Sequence, residues 1–144
     1  MIELITIIGP LSALIYLCIL LYLGFGIIRS EKDLTDDKPF VSIVVAAHNE
    51  AKNIAVCLDS LLDQDYPEEK MEIIIVDDRS EDDTCLILKK YEGKNTQIRV
   101  ISISTCEPGL SPKKNALTKA VINAKGEIIA VTDADCRAPI QWLK

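Results

Sequence analysis

The 144-residue chain alternates between apolar runs and stretches whose apolar residues recur at helical spacing. Four runs read as strands: FVSIVVAA (40–47), MEIIIVDD (71–78), QIRVISIS (97–104) and EIIAVTDAD (127–135). The first is nearly continuous and rich in β-branched residues, as in a strand buried on both faces. Between the runs, Ile54, Cys57, Leu58, Leu61 and Leu62 share one helical face. Leu86, Ile87 and Tyr91 mark a second helix, for which Ser80 and Asp83 have the spacing of a capping box. Leu117, Ala120, Val121 and Ala124 mark a third helix, with Gly126 placed to end it.

Strands alternating with amphipathic helices predict parallel pairing through helical crossovers. The expected fold is therefore a three-layer α/β/α domain, Rossmann-like, with a mainly parallel sheet. In such folds ligands bind beyond the carboxyl ends of the strands. The unusual polar residues fall there: His48, Asn49 and Glu50 after the first strand, Asp77 and Asp78 after the second, Asp133 and Asp135 after the fourth.

The first thirty residues form a separate pattern. Leu4 to Ile28 carries no charged side chain. At about 1.5 Å per residue it is long enough to cross a hydrocarbon core of about 30 Å. Residues 1–29 are thus expected to be a transmembrane helix, and the charged stretch 30–39 a linker to a domain over 40–144. Arg29, Lys32 and Lys38 follow the span whereas Glu3 precedes it. The positive-inside bias then predicts a single-pass protein of the cell (inner) membrane with its domain in the cytoplasm.

Composition narrows the partners. Sixteen Lys and Arg stand against 22 Asp and Glu. No basic stripe is available to follow a phosphate backbone, so nucleic acid is excluded as an expected partner. The five cysteines include no C-x-x-C pair, which fits reduced thiols better than a disulfide frame or a zinc site.

Carboxylates gathered at one rim repel one another and are best tolerated around a hard cation such as Mg²⁺ or Mn²⁺. Such an ion also bridges nucleotide phosphates. The alternative is that an individual Asp merely caps the helix after its strand. Neither G-x-G-x-x-G nor G-x-x-x-x-G-K-[ST] occurs, which argues against a dinucleotide fold and a P-loop.

The blocks VSIVVAAHNE, IIIVDDRSEDDT, KKNALTKA and VTDADC, in this order, closely resemble the nucleotide-sugar half of the inverting family-2 glycosyltransferases with the GT-A fold. The resemblance runs from Pro39 to Lys144. It implies that the turn Ala46, Ala47, His48, Asn49 and Glu50 holds the base, and that Asp78 accepts a hydrogen bond from the base edge. Asp77 would support that turn or the ribose, and Lys113 would face the diphosphate. Asp133 would contact ribose or metal-bound water, and Asp135, with Asp133, would bind the divalent cation. His48 stands where the family often has Tyr, Ala46 where Pro or Thr is common, and Thr118 where Asn is usual.

The implied activity is transfer of a sugar from a nucleotide-diphosphate donor to a hydroxyl acceptor at the cytoplasmic face of a membrane. Family members continue for at least about a hundred residues more, supplying the acceptor site and the general base. The chain therefore reads as an incomplete GT-A half-domain, inactive alone, with its base beyond Lys144. The alternative is a non-catalytic nucleotide-binding remnant, or one piece of a split enzyme that pairs with a complementary C-terminal fragment.

Overall fold

The structure, a computed structural model, describes residues 13–24 and 38–144. Residues 13–24 are helical (α1). Contacts divide the chain into a unit ending at Asp37 and a unit spanning Lys38–Lys144. The expected membrane span is corrected here: among the described residues no helix is long and apolar enough to cross a membrane. The described helix reaches only about 18 Å at 1.5 Å per residue. The remainder of Leu4–Ile28 and most of the expected linker lie outside the described residues. The single-pass inner-membrane location rested on that span and falls with it.

The second unit contains β1 (Val41–Ala47), α2 (Ile54–Leu62), β2 (Met71–Asp78), α3 (Thr84–Glu92), β3 (Ile98–Ile103), α4 (Pro112–Asn123) and β4 (Ile128–Asp133). The strands form one sheet in the order β3-β2-β1-β4, and every pairing is parallel. Each crossover carries a helix, the connection that parallel neighbours require. The register sets Ala47 beside Asp77 and Ala46 beside Asp133. The chain builds outward from β1 through β2 to β3 and then returns past them to place β4 on the other side of β1. That reversal opens a crevice at the carboxyl ends of β1 and β4.

Alternation along β1 creates the three layers. Val41, Ile43, Val45 and Ala47 face a core shared with Ile54, Leu58 and Leu61 of α2 and Leu88 of α3. Val44 faces the opposite side, with Ile74 and Val76 of β2 and Ala116 and Ala120 of α4. Both faces of β1 and β2 are sealed, which is why these strands read as continuous apolar runs. β4 lies at the edge, with Ile128, Ile129 and Val131 exposed.

Three local expectations change. The capping box of Ser80 with Asp83 does not form: the N-cap residue Asp83 makes no side-chain cap bond, and it is the Asp82 carboxylate that accepts from the Thr84 backbone N–H at 3.0 Å and the Thr84 hydroxyl at 2.5 Å. Val121 points outward, while Asn115 is buried and donates its amide to the Thr105 carbonyl. Gly126 does not end α4, whose cap is Ala124. It lies against β1, where a Cβ would strike the backbone nitrogen of Ser42. The Ser42 hydroxyl accepts from the Gly126 N–H at 2.8 Å and donates to Glu72 at 2.7 Å, pinning the α4–β4 connection to the start of β1.

Candidate functional site

The strand-end crevice is a cavity of about 400 Å³ lined by Ala46, Ala47, His48, Glu50, Asp78, Arg79, Pro112, Lys113, Ala116, Asp133, Ala134 and Asp135. Eight of the sequence-predicted site residues are in that lining; Asn49 and Asp77 are not. A larger cleft of about 800 Å³ borders α2 and the 137–140 segment but holds none of the strand-end residues.

Asn49 and Asp77 shape the turns beneath the cavity. Asn49 adopts a left-handed backbone, φ 57°, which its short side chain tolerates better than most. Its N–H donates to the Ser80 hydroxyl at 3.0 Å, and its side-chain oxygen accepts from the Glu81 N–H at 2.8 Å. Asp77 is buried and accepts from the Ser80 N–H at 3.3 Å. Asn49 thereby binds the β1–α2 loop to the β2–α3 loop, and Asp77 braces the latter. Asp82 adds a bond from the Ala51 N–H. Its carboxyl sits below the usual range, chiefly because the Thr84 hydroxyl donates to it.

The cavity has two chemically distinct ends. At the β2 end, the buried Asp78 carboxylate receives Arg79 Nε at 2.8 Å and an Arg79 terminal nitrogen at 3.2 Å. That hydrogen bond and charge raise the Arg79 pKa. Nδ1 of His48 lies 2.6 Å from the Asp78 carbonyl oxygen, so Nδ1 carries the proton and donates. Glu50 is anchored by its backbone N–H to the Thr84 hydroxyl at 2.8 Å and accepts at its carboxylate from Asn53.

At the β4 end, Lys113 Nζ pairs with Asp133 at 2.6 Å, both side chains more than half exposed. The carboxylate raises the Lys113 pKa, first through this hydrogen bond. Lys113 follows Pro112, the first residue of α4, and Ser111 caps that helix by accepting from the Lys114 N–H. The amino end of a helix therefore borders the cavity, where the helix dipole favours an anion. Asp135 is exposed and carries only a 3.7 Å contact from the Cys136 thiol among the described residues. Behind it, buried Cys57 points its thiol at the Asp133 carbonyl, 3.6 Å away. Burial, aided by the neighbouring Cys136, Asp135 and Glu50, pushes the Cys57 pKa up to about 11. Cys57 thus stays a neutral donor.

The donor set fits a hard divalent ion in part. Asp133 and Asp135 offer open carboxylate oxygens, the ligands Mg²⁺ and Mn²⁺ prefer, and Mg²⁺ is commonly held by one or two carboxylates together with substrate phosphates and water. Among the described residues no group of three or more His, Cys, Asp or Glu side chains is arranged to hold an ion unaided. The site suits an ion that arrives with a phosphate ligand.

The sequence pattern described as glycosyl transferase family 2 matches residues 42–144. The chain belongs to this family. Among glycosyltransferase relatives, AglE of Haloferax volcanii is 32% identical over 111 residues, which cover 77% of this chain and 35% of AglE. The solved structure of a mannosyltransferase from Pyrobaculum calidifontis, in complex with GDP-Man and Mn²⁺, superposes with a TM-score of 0.63 at 31% identity. That match covers 72% of this chain and 30% of the other. A structure of residues 1–349 of TarS from S. aureus, in complex with UDP, gives 0.62 at 31% identity, covering 72% and 29%. The three-layer sheet is thus that of GT-A glycosyltransferases, and the chain spans about a third or less of each of these relatives.

Sequence reasoning passed over Arg79 within the VDDRS stretch. Its signal was available: a cation directly after two strand-end acids. What the sequence does not carry is its left-handed backbone, φ 57°.

Proposed function

We propose that this chain is the donor-binding part of an inverting glycosyltransferase that moves a sugar from a nucleotide diphosphate to an acceptor hydroxyl. The observation that carries the reading is the polarity of the one cavity. A buried acceptor with aromatic His48 beside it stands at one end, and Lys113, a helix amino end and two open carboxylates stand at the other. A nucleoside diphosphate has the matching polarity. Its base can stack on His48 and donate to Asp78, while its phosphates meet Lys113 and the amino end of α4. The nucleotides bound by the two solved relatives, GDP-Man and UDP, support this class of donor.

Asp135, with Asp133, is the pair that would hold a divalent cation, whose chemistry is to neutralise the charge developing on a leaving diphosphate. Lys113 then exchanges Asp133 for the phosphates, leaving both carboxylates open toward the ion. The Mn²⁺ in the mannosyltransferase structure supports the choice of metal. In this reading the acceptor surface and the base that deprotonates the acceptor hydroxyl come from outside these 144 residues, because the chain spans only 24–35% of relatives such as AglE and the beta-monoglucosyldiacylglycerol synthase of Trichormus variabilis. The 144 residues alone bind donor and do not transfer sugar.

The test is calorimetric titration of the chain with UDP and GDP, with and without Mn²⁺, followed by an assay of sugar transfer from the matching nucleotide sugars. Metal-dependent binding without transfer is expected. Absence of any nucleotide binding, or binding indifferent to metal, overturns the reading.

A further inference from the structure

Arg79 combines three observations. It lines the cavity. It has a left-handed backbone, φ 57°, a conformation that costs a residue bearing a Cβ and that clusters at functional sites when the surroundings enforce it. It also grips, through two nitrogens, the carboxylate of the residue immediately before it. Neighbours along an extended chain point to opposite faces, so this pairing requires the turn. The grip leaves guanidinium N–H groups unused, since Arg carries five and the Asp78 bonds take two. The side chain is 40% exposed whereas that of Asp78 is 5% exposed.

We propose that Arg79 is a positioning and selectivity residue for the nucleobase, presenting with Asp78 an acceptor beside a donor that matches the N–H and C=O edge of a keto base, uracil or guanine. The inference rests on the donor-site reading above and deepens it. The two-nitrogen grip of Arg79 fixes the plane of the Asp78 carboxylate, whose oxygens accept. A ring N–H against that carboxylate is satisfied, and the adjacent carbonyl oxygen of the base receives a guanidinium N–H. Cytosine and adenine place a ring-nitrogen lone pair where uracil and guanine carry the N–H. The carboxylate repels that lone pair, and the amino group beside it meets a donor with a donor. Unpaired groups of this kind reject an analogue far more strongly than a missing methylene does.

Calorimetry on the full 144-residue chain with UDP, GDP, CDP and ADP at one Mn²⁺ concentration tests this. The wild type should bind UDP or GDP at least about ten-fold more tightly than CDP and ADP. Arg79→Gly accepts the left-handed turn without strain but leaves the buried Asp78 carboxylate without its cation, so its melting temperature is measured alongside. Its keto preference should shrink to within about three-fold, with UDP and GDP weakened roughly ten-fold. Arg79→Asn, also tolerant of the turn but uncharged, should behave alike, and it decides the matter if the glycine variant melts early. Arg79→Lys, which keeps charge without the planar fork, should lie between. A wild-type preference retained in both Arg79→Gly and Arg79→Asn overturns the role of Arg79 and leaves the donor site standing. Failure of the wild type to bind any of the four overturns both.

Discussion

Asp77 and Asp78 close β2 as direct neighbours, whereas Asp133 closes β4 and Asp135 stands two residues on, in the turn beyond it. Adjacent strand residues face opposite ways. The β2 pair is accordingly split: Asp77 turns inward to the Ser80 N–H and Asp78 turns to the cavity. The β4 pair reaches the cavity together. Solvent separates them further. Both β2 carboxylates are 4% exposed and already bonded to protein donors, as a buried charge must be, with lone pairs of Asp78 left for a ligand. The β4 carboxylates lie open. A carboxylate already paid for by its own protein can read a ligand's edge but cannot give up its oxygens to an ion; an open one can.

This contrast is broken most sharply at Asp135. Asp135→Ala removes an oxygen ligand from an open rim, so the fold should melt unchanged while the metal-dependent part of nucleotide binding falls roughly 100-fold or more. Titrations with and without Mn²⁺ measure it, and an unchanged metal increment assigns the ion elsewhere.

At the other pair, Asp78→Asn exchanges an acceptor for an amide that presents a donor to the base N–H and frees Arg79. Uridine diphosphate binding should weaken by about 1 to 3 kcal/mol, the usual cost of an unsatisfied buried group. Equal affinity would reduce Asp78 to a turn residue like its neighbour. Asp77→Ala should do the reverse, lowering stability by about 1 kcal/mol through the unpaired Ser80 N–H while leaving nucleotide affinity within about two-fold. Thermal melts and titrations on the same samples separate the two effects.

The smallest expected effect is electrostatic. The Cys57 pKa is raised from 9.0 to about 11 in the folded chain. Below pH 9 the thiol is protonated in both states and costs nothing. Between 9 and 11 the unfolded chain releases the proton and the folded chain does not, so stability falls as pH rises. Near pH 9.5 the loss is about 1 kcal/mol at most. Melting temperatures from pH 8 to 10 should drop less steeply in Cys57→Ala than in the wild type, and equal slopes would refute the shift.

Much of this architecture is legible in the residues. β1 and β2 announce themselves as runs sealed on both faces, and the D-x-D acids stand at the carboxyl end of the fourth run. What escaped was decided at long range. Within SEDDT several groups stand near enough to cap α3. Asp82 takes the Thr84 N–H and also that of Ala51, 31 residues away in sequence, a partner no local pattern reveals. Arg79 follows the sign of one φ angle, which no local pattern in the sequence signals. The apolar amino-terminal run reads as a membrane span, whereas among the described residues no helix is long and apolar enough to cross a membrane.

Gly126 carries a lesson for anyone mapping tolerance to substitution across this protein. It sits at the amino end of β4, and about 3.3 Å per residue puts it some 23 Å of chain from Asp133. Yet a side chain there has only backbone and the Ser42 hydroxyl to displace. The yielding would be done by the connection that sets the register of β4 on β1, and with it the height at which Asp133 and Asp135 stand above the rim. A saturation screen scored on donor binding would therefore mark Gly126 beside the aspartates, as a hinge pin whose failure is heard at the far end of the strand.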